Sequence, residues 1–209
     1  MIKVIIADDH AIIRRGIREI LDESESIRVV DEAEDGAALL EKITGKRYDV
    51  VLLDINMPGR NGLDVLKDIR RVRPEQKVLV LSMYPEEEYA VRAVKSGASG
   101  YLRKDSNPQE IIRAVRNVFE GKTHLSGDAY DTIIDSLRRP DEGAPHLRLS
   151  DREREIFMAI GRGLGLSEIA AELNLSPKTV STYRARIMEK MNMKNNAAIM
   201  KYVIENHLA

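Results

Sequence analysis

Five polar residues in the first half of the chain have types and spacing suited to metal or phosphoryl chemistry: Asp8, Asp9, Asp54, Ser82 and Lys104. Each stands at or just past the end of a short apolar run. Val4-Ile5-Ile6-Ala7 leads to Asp8-Asp9, Val50-Val51-Leu52-Leu53 to Asp54, Val78-Leu79-Val80-Leu81 to Ser82, and Gly100-Tyr101-Leu102 comes just before Lys104. Three carboxylates held together repel unless a cation or a proton lies among them. Oxygen donors without imidazole or thiolate suit Mg²⁺, which keeps several waters and accepts one or two carboxylates together with phosphate oxygens. Asp8, Asp9 and Asp54 are therefore the expected Mg²⁺ ligands, with the backbone carbonyl of Asn56 as a further oxygen. Asp54 is the expected nucleophile, because a carboxylate can form an acyl phosphate when a metal offsets the charge. Lys104 would pair with the phosphoryl oxygens and Ser82 would donate a hydrogen bond to one of them. Taken singly, an aspartate after a strand often only forms a turn or caps a helix, and a lone lysine or serine there is an ordinary surface or turn residue. The joint placement carries the argument.

That placement follows from the elements around these residues. The run ending at Asp54 is short, rich in β-branched and leucine side chains, and closed by Pro58-Gly59, which favours a buried strand. A strand buried on both faces belongs to a parallel sheet covered by helices. Strand and helix patterns alternate five times. Strands are expected at 3–7, 27–33, 50–53, 78–81 and 100–102, and helices at 11–21, 36–44, 63–72, 86–95 and 108–119. This predicts an α/β unit, a flavodoxin-like doubly wound five-stranded parallel sheet. Right-handed crossovers bring all five strand ends to one rim, where ligands of open α/β sheets collect.

Composition narrows the classes. With 209 residues and 43% hydrophobic content the chain can hold one large or two modest globular domains. No cysteine is present, so disulfides, thiolate nucleophiles and Cys-based zinc sites are excluded, and His10, His124, His146 and His207 are scattered at no ligand spacing. No apolar run approaches a membrane span and the N-terminus does not read as a signal peptide, so a cytoplasmic protein without membrane partners is expected. The net charge of -1 hides an asymmetry: from residue 147 onward ten Lys and Arg face seven Asp and Glu, about +3, which leaves about -4 for the rest. The C-terminal part is the candidate for an anionic partner.

The strand-helix rhythm stops after Phe119. Gly121 to Gly127 is turn-like, Tyr130 to Leu137 is compatible with a short helix, and Arg139 to Pro145 has linker composition. The expected division is 1–121, a linker at 122–146, and a second domain at 147–209. Ser150 and Glu153 form a capping-box pattern before the apolar set Ile156, Phe157 and Ile160. A short helix over 167–173, a turn at Asn174-Leu175-Ser176 and a longer helix opened by Ser176-Pro177 read as a helix-turn-helix. At about 100° per residue, Val180, Tyr183, Ile187 and Met191 fall on its inner side, with Lys178, Ser181, Thr182, Ala185 and Glu189 opposite. The N-terminal part of such a helix meets base edges in the major groove, so Lys178, Ser181 and Thr182 are base-reading candidates, with Thr179 beside them. Arg184, Arg186, Lys190 and Lys194 are candidates for phosphates of double-stranded DNA.

Asp8-Asp9, Asp54 in Asp-Ile-Asn-Met-Pro-Gly, Ser82, and Lys104 in Gly-Tyr-Leu-Arg-Lys match residue by residue the receiver motif of the two-component response regulators, which the first 120 or so residues resemble. The resemblance implies a sensor histidine kinase as phosphoryl donor and a Mg²⁺ requirement. It also implies no enzymatic activity beyond self-transfer and slow hydrolysis, and a switch in which the Ser82 hydroxyl moves toward the phosphoryl group while the Tyr101 ring turns inward. Leu149-Ser150-Asp151-Arg152-Glu153, Ile169-Ala170, Leu173 and Ser176-Pro177-Lys178-Thr179-Val180 resemble the LuxR-type DNA-binding domain of the NarL/FixJ-like subfamily, an all-α domain of four helices. Gly-Leu-Gly-Leu before Ser167 departs from that pattern and removes a basic residue beside the turn. The likeness further implies a homodimer, formed on phosphorylation or DNA binding, with Ile199, Met200 and Val203 of the last helix as pairing residues; the same face could simply cover the bundle. The combined expectation is a phosphorylation-dependent transcription regulator. An aspartyl-phosphate phosphohydrolase also uses a strand-end aspartate with Mg²⁺, and a DNA-binding or adaptor protein with a vestigial receiver would carry the same C-terminal helices.

Overall fold

The computed structural model describes residues 1–57, 61–83, 86–125, 129, 130, 144–206 and 208. Two units make up the chain, Met1–Arg138 and Arg139–Ala209. In the first, strands β1 (Ile2–Ala7), β2 (Ile27–Ala33), β3 (Val50–Asp54), β4 (Lys77–Ser82) and β5 (Gly100–Arg103) alternate with helices α1 (Ala11–Asp22), α2 (Gly36–Gly45), α3 (Gly62–Val72), α4 (Glu86–Lys95) and α5 (Pro108–Phe119). All pairings are parallel, in the order β2-β1-β3-β4-β5. The unit is thus a flavodoxin-like doubly wound sheet, as the alternation predicts. The order reverses at β1 and β3, which marks the switch point where such sheets open a crevice.

Period-two alternation explains why β3 has no polar face. Val51 and Leu53 point into one apolar cluster with Leu39, Ile43, Leu66 and Ile69 from α2 and α3. Val50 and Leu52 point into the opposite cluster with Ile17, Leu21, Ile112 and Val115 from α1 and α5. Polar residues can therefore enter only at the strand ends.

The first unit does not stop at residue 121. Tyr101 N donates to His124 O at 2.9 Å and His124 N to Ser99 O at 3.2 Å, so the returning chain covers the free edge of β5. Ala129 is fully buried in the same cluster as Tyr101. Composition reads this stretch as linker, because edge pairing uses backbone groups that carry no sequence signal. Of the short helix expected over 130–137, all but Tyr130 lies outside the described residues, as do the linker tract at 139–143 and the Pro58-Gly59 pair.

Among the described residues, the first element of the second unit is a 3₁₀ turn, Pro145–Arg148, followed by α6 (Asp151–Gly161), α7 (Leu166–Glu172), α8 (Pro177–Met191) and α9 (Asn196–Glu205). Ser150 and Glu153 form the predicted capping box, with Ser150 N donating to Glu153 Oε2 at 2.7 Å. The α7–α8 turn depends on Asn174 at φ 51°, a left-handed backbone that asparagine tolerates. Ser176 caps α8 by accepting from Thr179 N at 3.0 Å, and Pro177 supplies its first turn. Among the described residues, no helix is long and apolar enough to cross a membrane.

Candidate functional site

The register that builds the sheet also builds the acidic pocket. Ala7 pairs with Leu53, so the next residues, Asp8 and Asp54, end neighbouring strands at the switch point. Leu81 pairs with Asp54, which puts Ser82 one step further along β4, and Ser82 pairs in turn with Arg103, just before Lys104. Lys104 N donates to Ser82 O at 2.9 Å, holding the lysine at the rim. The Lys104 ammonium lies 2.6 Å from Asp8 Oδ2 and 2.8 Å from Asp54 Oδ2, with its side chain only 5% exposed. One buried cation thus bridges two buried carboxylates.

Burial is the largest influence on Asp54 and pushes its carboxyl up; Lys104 opposes this and Asp8 adds to it, leaving Asp54 at about 6. The Asn56 N–H also donates to the Asp54 carboxylate and lowers it in part. For Lys104, burial disfavours the charge, yet Asp54 and Asp8 outweigh it and the ammonium is raised above its ordinary value. The pocket stores uncompensated negative charge: Asp8, Asp9 and Asp54 bring three carboxylates together and Lys104 supplies one positive charge. A divalent cation would complete the balance, and hard oxygen donors in this number fit Mg²⁺.

Two residues near the pocket escape a reading of motif and periodicity. A Cβ at Gly62 would lie 2.1 Å from Asp54 O, so the start of α3 closes on the backbone of the strand end, with Gly62 N donating to Ile55 O at 2.8 Å. A glycine directly before the helix expected at 63–72 is the available signal; the structure starts α3 at Gly62, with Asn61 as its cap. His10 is the other: scattered in sequence, it lies with Asp8, Asp9 and Asp54 in space, its Nδ1 2.8 Å from Asp9 Oδ1. The expectation of a purely oxygen-lined pocket is corrected accordingly. Ser82 and Tyr101 are both buried, the ring of Tyr101 inside the cluster formed with Tyr89 and Ala129. Asn56 is exposed beyond the end of β3.

In the second unit α8 has the predicted faces. Val180, Ile187 and Met191 are buried, while Lys178, Ser181, Thr182, Ala185, Arg186 and Glu189 are exposed. Thr179 is half-buried and its hydroxyl meets Ser176 Oγ at 2.7 Å, so it serves the cap. Lys194 is exposed just past the helix. Two expected phosphate contacts need correction. Lys190 pairs with Glu153 Oε2 at 2.6 Å, and Glu153 is 3% exposed. Arg184, about 40° from Val180 on the wheel, is half-buried and its Nε donates to Asn196 Oδ1 at 2.6 Å.

These contacts give the Ser-Asp-Arg-Glu stretch a structural role. Glu153 ties the start of α6 to the end of α8, and Arg152 donates to Glu155 at 2.6 Å and to Leu173 O at 2.9 Å, at the turn before α8. Together they hold α8 against the bundle while its outer face stays open. Of the three expected pairing residues, Ile199 and Val203 are fully buried in the core with Phe157 and Ile160, which corrects their assignment to a dimer surface. Met200 is half-buried, and Ile204 is the exposed apolar residue of α9, 69% accessible.

A parallel sheet with an acidic switch-point pocket, joined to a helix-turn-helix unit, defines a class of two-part regulators. Residues 4–116 match the response regulator receiver domain, and residues 147–203 match the bacterial regulatory proteins of the luxR family. Response regulator UvrY of Escherichia coli strain K12 is 35% identical over 209 residues, covering 100% of this chain and 96% of UvrY. The oxygen regulatory protein NreC of Staphylococcus epidermidis is 37% identical over 214 residues, covering 99% and 98%. RcsB of Salmonella enterica serovar Typhimurium, solved bound to promoter rprA in the presence of phosphomimetic BeF3-, superposes with a TM-score of 0.64 at 28% identity, covering 96% and 97%. A further RcsB structure, two dimers bound to two parallel DNAs, gives 0.59 at 29% identity, covering 97% of each chain. The chain belongs to the two-component response regulators that join a receiver to a LuxR-type DNA-binding domain, the NarL/FixJ type.

Proposed function

We propose that Asp54 accepts a phosphoryl group from the phosphohistidine of a sensor kinase, and that this controls DNA binding through α8. The observation that supports it most directly is the buried Lys104 ammonium shared by Asp8 and Asp54 at the switch point. In the transfer, the N–P bond of phosphohistidine breaks with its electron pair returning to the imidazole, and an Asp54 oxygen forms the new O–P bond. Mg²⁺, held by Asp8, Asp9, Asp54 and the Asn56 carbonyl, would offset charge between the attacking carboxylate and the phosphoryl oxygens. Lys104 then pairs with those oxygens, and the Ser82 hydroxyl donates to one of them as Tyr101 holds its inward position. Turnover on other substrates is not part of this role; the acyl phosphate is a stored signal, lost by slow hydrolysis.

On the DNA side, Lys178, Ser181 and Thr182 face the base edges and Arg186 and Lys194 the phosphates. Binding as a homodimer is supported by the RcsB dimers on DNA and by the exposed Ile204 beside Met200 on α9. The test is labelling by a small phosphodonor with Mg²⁺: the native chain takes up one phosphoryl group and Asp54→Asn none. Labelling retained in Asp54→Asn would move the acceptor elsewhere. Equal DNA affinity with and without the donor would favour a phosphorylation-independent DNA-binding protein, and many turnovers on a small phosphate ester would favour a phosphohydrolase.

A further inference from the structure

We propose that His10 is a fourth side-chain ligand of the acidic site, beside the three carboxylates, and that its imidazole biases the site toward first-row transition divalent cations over Mg²⁺. The inference rests on the reading of Asp8, Asp9 and Asp54 as a metal site and deepens it. Its basis is geometric. One donor atom from each of Asp8, Asp9, His10 and Asp54 lies within 4.8 Å of all the others. His10 Nδ1 is 2.8 Å from Asp9 Oδ1 and 3.3 Å from Asp8 Oδ1. Adjacent donors on an octahedral ion with bonds of about 2.1 Å stand about 3 Å apart. The imidazole nitrogen thus sits at edge spacing from two carboxylate oxygens.

The two oxygens of Asp8 divide the labour. Oδ2 meets Lys104 at 2.6 Å, on the buried side, whereas Oδ1 accepts from His10 N at 2.8 Å and faces the histidine ring. Lys104 therefore does not occupy the side from which His10 approaches. His10 also stands at the N-cap of α1, in extended backbone at φ -89° and ψ 104°, and its side chain makes no cap hydrogen bond. Ser, Thr, Asp or Asn would serve the helix better there. The ring is turned to the carboxylates instead, and at 61% exposure it can adjust its rotamer to a bound ion. Neutral imidazole favours later first-row ions, which follow the Irving–Williams order, far more than it favours Mg²⁺.

A hydrogen bond from Nδ1–H to Asp9 would give similar distances without a metal, so the experiment must see the nitrogen on the ion. Untagged full-length protein and the variants His10→Ala and His10→Asn, the second restoring a capping side chain, are loaded with Mn²⁺ and examined by pulsed electron paramagnetic resonance. Their affinities for Co²⁺ and Mg²⁺ are measured by calorimetry. The expected result is a directly coordinated ¹⁴N in the native protein that disappears in both variants, with the Co²⁺ to Mg²⁺ affinity ratio falling at least about tenfold. Mn²⁺ binding without a coordinated nitrogen, and an unchanged ratio, would overturn the role of His10 and leave the carboxylate site standing. Failure of the native protein to bind any of the three ions would overturn the metal reading itself, and this inference with it.

Discussion

Replacing Asp54 by asparagine should stabilise the metal-free protein, an unusual outcome for a buried position that follows from the charge in the pocket. Asp54 titrates at about 6 in the folded chain against 3.8 for the free side chain, with burial the leading cause. Between those values the folded state binds more protons than the unfolded one, so stability falls as pH rises through that window. Ionised Asp54 thus costs the fold about 3 kcal/mol at pH 8, roughly half that at pH 5, and little at pH 4. Asparagine removes the charge with little change in shape. The attraction of Lys104 is already contained in the value of about 6, and Lys104 keeps Asp8 as a partner at 2.6 Å; what offsets part of the gain is that an asparagine amide nitrogen and the Lys104 ammonium are both donors. A net stabilisation of about 1–2 kcal/mol is expected at pH 8, shrinking toward pH 5. Urea denaturation of both proteins in a chelator, at pH 5, 6.5 and 8, measures it. Saturating Mg²⁺ should close the gap by stabilising the native protein more, since the ion binds only the folded pocket. A destabilised variant at pH 8, or a difference independent of pH, would refute the argument that the pocket holds excess negative charge.

Three other outcomes follow from the second unit and the sheet edge. Arg186→Ala and Lys194→Ala should weaken DNA binding and each reduce the salt slope by about one, read by titration at several salt concentrations, whereas Lys190→Ala should leave the slope nearly unchanged and destabilise the domain by leaving Glu153 without its ion-pair partner. Ile199→Ala should cost about 2–4 kcal/mol of domain stability, seen in chemical denaturation, because the residue is fully buried; normal stability with lost self-association would return it to an interface. A Cβ at Gly100 would stand 2.8 Å from His124 O and 3.0 Å from Leu79 Cδ1. Gly100→Ala should therefore cost about 1–3 kcal/mol and speed hydrogen exchange at the Tyr101 amide, and unchanged exchange would show that the His124 segment does not hold the β5 edge.

Much of this protein is legible without coordinates, for identifiable reasons. The five strands are readable because a parallel sheet buries both faces, leaving continuous apolar runs whose polar residues can stand only at the ends. That constraint alone nominates Asp8, Asp9, Asp54, Ser82 and Lys104. The outer face of α8 is readable because helical phase follows from Val180, Ile187 and Met191. Phase was less informative at Arg184 and Lys190, where long side chains near the core flank can turn either to solvent or to a neighbouring helix. The structure turns them to Asn196 and Glu153.

Tertiary structure decided what depends on distances between separate segments. Asp54 as an acceptor candidate is written in residues 50–54, but its partnership with Lys104, fifty positions away, depends on the register of β3 with β4 and β4 with β5. Backbone groups carry no residue signature, so the cover that His124 and Ala129 give β5 could not be read from composition. The burial of Ile199 and Val203 depends on which side of α9 meets α6, a choice that an apolar stripe alone leaves open. His10 illustrates the same limit at the pocket: sequence shows a lone histidine after two aspartates, and only the turn between β1 and α1 brings its nitrogen against their oxygens.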